Sequence, residues 1–172
     1  MKPGIKEMKI YTYPDPVLKT QAGPVKVIDE ELQDLIDGMI HVMYSAPGVG
    51  LAANQVGVLK RVIVFDRHPR EKGRDPTVLI NPEIVLGEDE IKSEEACLSV
   101  IDFSAEVVRS ARVKVQGLDR HGNSLDIEAE DLLAICLQHE IDHLDGTLFI
   151  DHISSLKRAL YKKKLRKMLK ET

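Results

Sequence analysis

Gln138-His139-Glu140-Ile141-Asp142-His143-Leu144 is the stretch on which the reading of this sequence turns. Residues four apart on a helix stand one turn apart on the same face, so His139 and His143 can reach one ion while Glu140 stays beside its bound water. Two metal ligands and a proton carrier thus arrive together. The residues before it, Leu132, Leu133, Ile135, Cys136 and Leu137, are apolar, so the segment 130–144 reads as a largely buried helix with polar chemistry on one side.

A catalytic ion needs a third protein ligand and an open fourth position. Zinc proteases that extend the motif to His-Glu-x-x-His-x-x-Gly-x-x-His supply a third histidine downstream; here Gly146 holds the glycine position, but Phe149 stands at the histidine position and cannot coordinate. Asp145, Asp151, His152 and Glu171 also lie downstream, and each reads first as a surface residue or helix cap. Cys136 shares roughly the face of His139 but lies about 10 Å along the axis from His143, and a thiolate reaches only ~2.3 Å. It reads as a small buried apolar residue. Cys97, in Ser93-Glu94-Glu95-Ala96-Cys97-Leu98-Ser99-Val100, sits in a segment with neither helical nor strand periodicity, and the residues alone leave it open between ligand and structural thiol.

Outward from this centre the chain reads as one domain over 1–172. Asp29 to Tyr44 sets Leu32, Leu35, Ile36, Met39, Ile40 and Met43 at three-and-four spacing behind an acidic turn, an amphipathic helix with Asp29 as N-cap. Pro47-Gly48-Val49-Gly50 ends it in a loop. Arg61–Asp66, Thr77–Asn81 and Arg112–Gly117 are β-branched runs that read as strands, and Asp119–Asn123 as a hairpin turn. A last helix over about 154–170 carries Leu156, Leu160, Leu165 and Leu169 on its apolar stripe. The order implies an α+β domain, antiparallel strands around the buried motif helix, with one helix near each end.

Composition bounds the function. Hydrophobic residues at 43% and charged residues at 30% suit a folded globular chain, and a net charge of -4 gives no overall pull toward DNA or anionic membranes. Two cysteines are too few for a disulfide framework, and Met1 to Lys6 lacks a leader's apolar core, so the expected compartment is the cytoplasm. No run of about eighteen apolar residues spans a membrane.

Three motifs in order, Gly48-Val49-Gly50-Leu51-Ala52-Ala53-Asn54-Gln55, Glu95-Ala96-Cys97-Leu98-Ser99 and Gln138 to Leu144, resemble the signatures of the peptide deformylases. Tyr13-Pro14-Asp15-Pro16-Val17-Leu18 is similar to that family's N-terminal segment, so the resemblance covers nearly the whole chain. It implies Cys97, His139 and His143 as ligands of one divalent ion, Glu140 as general acid/base, and Gln55 with the Leu98 N–H as oxyanion donors. It further implies that Val49 and Gly50 pair with an extended N-formylmethionyl peptide, and that Leu132, Ile135 and Cys136 wall the methionine pocket. Asp142 would pair with Arg109. The implied reaction is hydrolysis of the N-formyl group, releasing formate, with iron in the cell and zinc, nickel or cobalt able to replace it. Three positions depart from the family pattern: Ala96 replaces a glycine, Ile101 a proline and Ser104 an arginine. The tail 157–170 concentrates a third of the basic residues; it reads as a solvated helix face, with ribosome contact as the alternative.

Overall fold

Asp29 opens the first helix as its composition requires. In the computed structural model, which describes residues 8–69, 71 and 73–171, Asp29 Oδ1 accepts the Leu32 amide at 2.9 Å and caps helix α1 (Glu30–Ser45). Glu30 and Glu31 follow in the first turn, where the helix dipole favours negative charge. The residues Met1 to Lys6, read above as lacking a leader core, lie outside the described residues.

Five strands follow, β1 (Gly50–Ala52), β2 (Val62–Asp66), β3 (Pro76–Cys97), β4 (Val100–Leu118) and β5 (Ser124–Glu130). They form one antiparallel sheet in chain order. In β2, alternation sends Val62 and Val64 to one face and Ile63 and Phe65 to the other. Both faces are covered, which is why β2 reads as an unbroken apolar run. Helix α1 packs Leu32, Ile36, Met39 and Met43 on the first face. Helix α2 (Asp131–Leu144) packs Ala134, Leu137, Ile141 and Leu144 on the second, against Phe65, Leu79, Val115 and Ile127. Full burial of a side chain such as Phe65 contributes roughly 1.5–3 kcal/mol. The architecture is the expected α+β domain around a buried motif helix.

Two strands run far beyond their apolar cores. β3 pairs β2 only through Ile80, then continues with β4 alone to Cys97, with register shifts between Ile80 and Glu83, Ile84 and Leu86, and Ala96 and Cys97. Ser93–Val100, whose residues show no strand periodicity, is nonetheless the end of this hairpin. Ser93 pairs with Val107 and Cys97 with Val100, leaving Leu98 and Ser99 as a two-residue turn. Backbone pairing carries this hairpin, and its exposed charged residues hide it from any periodicity. The Asp119–Asn123 turn forms as read, with Asp119 Oδ1 accepting the His121 and Asn123 amides at 2.8 and 2.9 Å.

Helix α3 (Ser155–Lys170) is capped by Ser154 Oγ, which accepts the Lys157 amide at 3.2 Å. Its buried residues are Tyr161 and Leu165, packed with Leu18, Val107 and Phe149, whereas Leu156, Leu160 and Leu169 are exposed. The leucine stripe is thus not the packed face: the aromatic Tyr161, centred on the contact, rotates three of the four leucines to solvent. Among the described residues no helix is long and apolar enough to cross a membrane.

Candidate metal centre and active site

Gln138 fixes the roll of α2. Its Oε1 accepts the Ser110 amide and its Nε2 donates to the Ser110 carbonyl, both at 2.9 Å, tying the helix to β4. With that face fixed, His139 and His143 turn toward the β3–β4 hairpin end that carries Cys97. His143 Nε2 lies 3.2 Å from His139 Nε2 and 3.4 Å from Cys97 Sγ, and the three ligand atoms all lie within 4.8 Å of one another. Tetrahedral ligation, with bonds of ~2.05 Å to nitrogen and ~2.3 Å to sulfur, requires N···N near about 3.3 Å and N···S near about 3.5 Å. The donor set fits a divalent ion.

The surrounding side chains suit that role. Glu95 Oε1 accepts from His139 Nδ1 at 2.9 Å, the carboxylate–imidazole contact that fixes a ligand's tautomer and turns its Nε2 lone pair outward. Arg109 holds Glu95 by two bonds, Nε at 2.7 Å and Nη2 at 2.8 Å, and meets Asp142 through Nη1 at 2.6 Å. Burial alone would raise the Glu95 carboxyl, but Arg109 and His139 hold it down at about 2. Burial, with His139 beside it, pushes the His143 imidazole well below its ordinary range, toward the neutral form that can coordinate.

Glu140 is buried, its Oε2 has no hydrogen-bond partner among the described residues, and its Oε1 is 4.0 Å from His139 Nε2. Burial pushes this carboxyl up to about 7, with His139 opposing and Glu95 adding to the rise. Gln55 is buried as well. Its Oε1 accepts the Ala52 amide at 3.0 Å, and its Nε2 donates to Ser99 Oγ at 3.1 Å and to Cys97 Sγ at 3.6 Å, so the NH₂ end faces the cysteine.

These groups border one cavity of about 180 Å³. Val49, Gly50, Leu98, Leu132, Ile135 and Cys136 line it together with Cys97, Gln55, His139 and Glu140. Every residue that the resemblance makes a ligand, a catalytic group or a substrate contact is there except His143, which lies behind, fully buried. A larger hollow of about 400 Å³, lined by Leu86, Glu88, Arg112 and Glu130, lies elsewhere on the sheet and holds none of them. Cys136 stays outside the ligand group, as the helix geometry requires. Burial and Glu140 push its thiol well above its ordinary value, so it is a protonated wall residue.

The other candidates have different partners. Asp145 pairs with Arg61 at 3.0 Å, Asp151 Oδ2 accepts the Leu148 amide at 2.8 Å, and His152 meets Asp142 at 2.8 Å. Ala96 lies in β3 opposite Ser104, in a strand conformation open to alanine. Ser104 Oγ donates to Glu94 at 2.7 Å, and Ile101 is exposed. The sequence reading gave Glu95 no role. Its signal was strand periodicity, since Glu95 and Cys97, two apart, share a face of β3, but that requires knowing the segment is a strand.

A buried helix with two histidines able to share an ion, a thiol delivered by a hairpin and a carboxyl beside an open cavity fit the class of metal-dependent hydrolases. Comparison with known proteins narrows the class. The family described as Polypeptide deformylase matches residues 7–159. A peptide deformylase of Thermodesulfovibrio yellowstonii is 57% identical over 92% of this chain and 96% of its own. The crystal structure of a peptide deformylase from Legionella pneumophila superposes with TM-score 0.87 at 48% identity, covering 94% of this chain and 95% of that one. That of Ehrlichia chaffeensis in complex with actinonin gives TM-score 0.86 at 40% identity over 94% and 96%. The chain belongs to the polypeptide deformylase family and is an enzyme of that kind.

Proposed function

We propose that this chain hydrolyses the N-formyl group from the N-terminal methionine of newly made polypeptides, with Cys97, His139 and His143 holding one divalent ion. The observation that carries the reading is the placement of Glu140 Oε2, buried and without a partner among the described residues, beside three potential ligand atoms that lie within 4.8 Å of one another.

The ion, when bound, supplies Lewis acidity toward water and the formyl carbonyl. Glu140 takes the proton that water loses and hands it to the leaving nitrogen, so that amide and water become formate and a free amine. Gln55, its amide orientation pinned by Ala52 and Ser99, points N–H at the developing oxyanion together with the Leu98 backbone N–H; each such donor is worth roughly 3 kcal/mol. The edge strand at Val49 and Gly50 receives the extended peptide backbone, and Leu132, Ile135 and Cys136 enclose the methionine side chain. A thiolate with two imidazoles suits ferrous iron in the cell, and zinc, nickel or cobalt in its place. The substrate emerges from the ribosome in the cytoplasm, and the exposed basic face of α3 is the surface available for contact there.

The test uses formyl-Met-Ala-Ser and the cobalt-loaded protein. Formate release is expected from the wild type; Glu140→Ala keeps the cobalt and loses turnover, and Cys97→Ala loses both the thiolate-to-cobalt absorption band and turnover. Turnover undiminished in Glu140→Ala, or a thiolate band persisting in Cys97→Ala, overturns the assignment.

A further inference from the structure

His152 closes the 3-10 helix Phe149–His152, nine positions past His143 and away from the cavity. Its Nε2 lies 2.8 Å from Asp142 Oδ2, the same oxygen that accepts from Arg109 Nη1 at 2.6 Å. Arg109 in turn grips both oxygens of Glu95, and Glu95 Oε1 meets His139 Nδ1 at 2.9 Å. An unbroken series of five side chains therefore runs from a ring that is 38% exposed to one that is 11% exposed and turns its Nε2 toward His143.

We propose that His152 is a positioning residue for the metal centre, acting through Asp142, Arg109 and Glu95 on the orientation of His139. The inference rests on reading Cys97, His139 and His143 as the ligands. A carboxylate turns easily about its last torsion, a broad and roughly two-fold rotor, when a single donor holds it. Two donors on Oδ2, from opposite sides of the chain fold, pin that rotor. The guanidinium is a rigid planar fork, so the direction of its Nη1 bond to Asp142 sets the plane in which Nε and Nη2 meet Glu95. That plane fixes Glu95 Oε1, and Oε1 fixes the tilt of the His139 ring. Without the His152 donor, Asp142 keeps Arg109 as its partner but loses its fixed angle, and the looseness is passed inward.

Direct partners of ligating histidines change metal affinity 10–100-fold, and a partner three contacts further out is expected to change it less, by about three- to tenfold. The full-length protein, stripped with a chelator, is titrated with Co²⁺ against a chromophoric competitor while the thiolate-to-cobalt band is recorded. His152→Leu, which has no donor, is expected to bind Co²⁺ about three- to tenfold more weakly and to shift the band. His152→Gln, whose amide donor has similar reach, is expected to restore both. Unchanged affinity and band in His152→Leu overturn the proposal, as does equal weakening in both variants, which marks a packing role. A wild type without a thiolate band overturns the ligand assignment and this inference with it; a normal wild-type band beside an unaltered His152→Leu overturns this inference alone.

Discussion

Gly50 faces Glu140 so closely that a Cβ placed on it would meet Glu140 Cγ at 2.9 Å, and Cys136 Sγ at 2.8 Å. Both contacts are shorter than real Cβ atoms tolerate, and Gly50 is itself held in β1 opposite Phe65. In Gly50→Ala either the strand or the Glu140 side chain must shift. Overpacking of this kind costs about 1–3 kcal/mol, and a displacement of about 1 Å at a reacting group costs about 10²-fold in rate. The expected outcome is a kcat/KM on a formyl-Met peptide lower by roughly that factor, with Co²⁺ binding retained. A variant with wild-type kcat/KM would show that the close approach has no part in placing Glu140.

Arg109 is 5% exposed between Glu95 and Asp142, so its removal takes the guanidinium from a Glu95 carboxylate that is itself 5% exposed and leaves Asp142, 25% exposed, with His152. Breaking a buried pair from one side costs about 3–5 kcal/mol. Arg109→Met should lower stability by about that amount in urea unfolding of the metal-free protein. Adding Glu95→Gln should recover part of the loss, because the charge left unpaired is then gone. A double variant as unstable as the sum of the two singles would mean that the charges do not interact.

Tyr44 donates to Asp66 Oδ2 at 2.6 Å. Burial, and then this bond to the Asp66 carboxylate, push the Tyr44 hydroxyl from 10.0 up to about 12. Its folded value lies above its unfolded one, so the stability it contributes is fully present below pH 10 and is lost as pH rises toward 12. Asp66 behaves in the opposite sense. Burial would raise its carboxyl, but the bonds from Tyr44 and the His68 amide hold it below 3.8, so its contribution is present above that value and is lost as pH falls further. Chemical unfolding midpoints measured from pH 9 to 12 should fall more steeply for the wild type than for Tyr44→Phe, across the interval set by the two Tyr44 values. Parallel curves would remove Tyr44 as the cause.

The proposed ligand atoms are carried by two packed elements, β3 and α2, so the chain without metal is expected to keep its fold and to lose only the binding free energy. A ligand that binds the native state alone adds about 2.7 kcal/mol at 100 times its Kd. Thermal unfolding with Zn²⁺ at that excess should come at a higher Tm than with chelator, and circular dichroism below both transitions should coincide. Equal Tm values would show that the three side chains hold no ion, and an unfolded chelated chain would show that the ion builds the fold.

The helices were legible because each carries its own signals. Asp29 caps where it was expected, and the ends of α1, α2 and α3 fall within a residue or so of the expected bounds. The closeness of His139 and His143 was legible because helical periodicity alone puts one ring a turn above the other. The far end of the β3–β4 hairpin was not, because its strand character comes from cross-strand pairing and not from any alternation of its own, as at Ser93 with Val107. Glu95 and His152 were hidden for the same reason. Their partners, His139 and Asp142, are local to α2, but nothing in one dimension says which carboxylate or imidazole will face them.

Helix α3 shows the limit of periodicity most plainly, and it yields a test. Leu160 and Leu165 are both leucines of one amphipathic pattern, yet Leu160 is 59% exposed and Leu165 is 4% exposed. Leu165 packs in the cluster that contains Phe149 and Tyr161, whose hydroxyl donates to the Ile101 carbonyl at 3.3 Å. Leu165→Ala should therefore cost about 2–5 kcal/mol as lost transfer energy plus cavity. Leu160→Ala, a surface change, should stay within about 0.5 kcal/mol. Urea unfolding of the two variants separates the cases, and equal losses would place the packed face of α3 along the leucines, where the sequence pattern alone had put it.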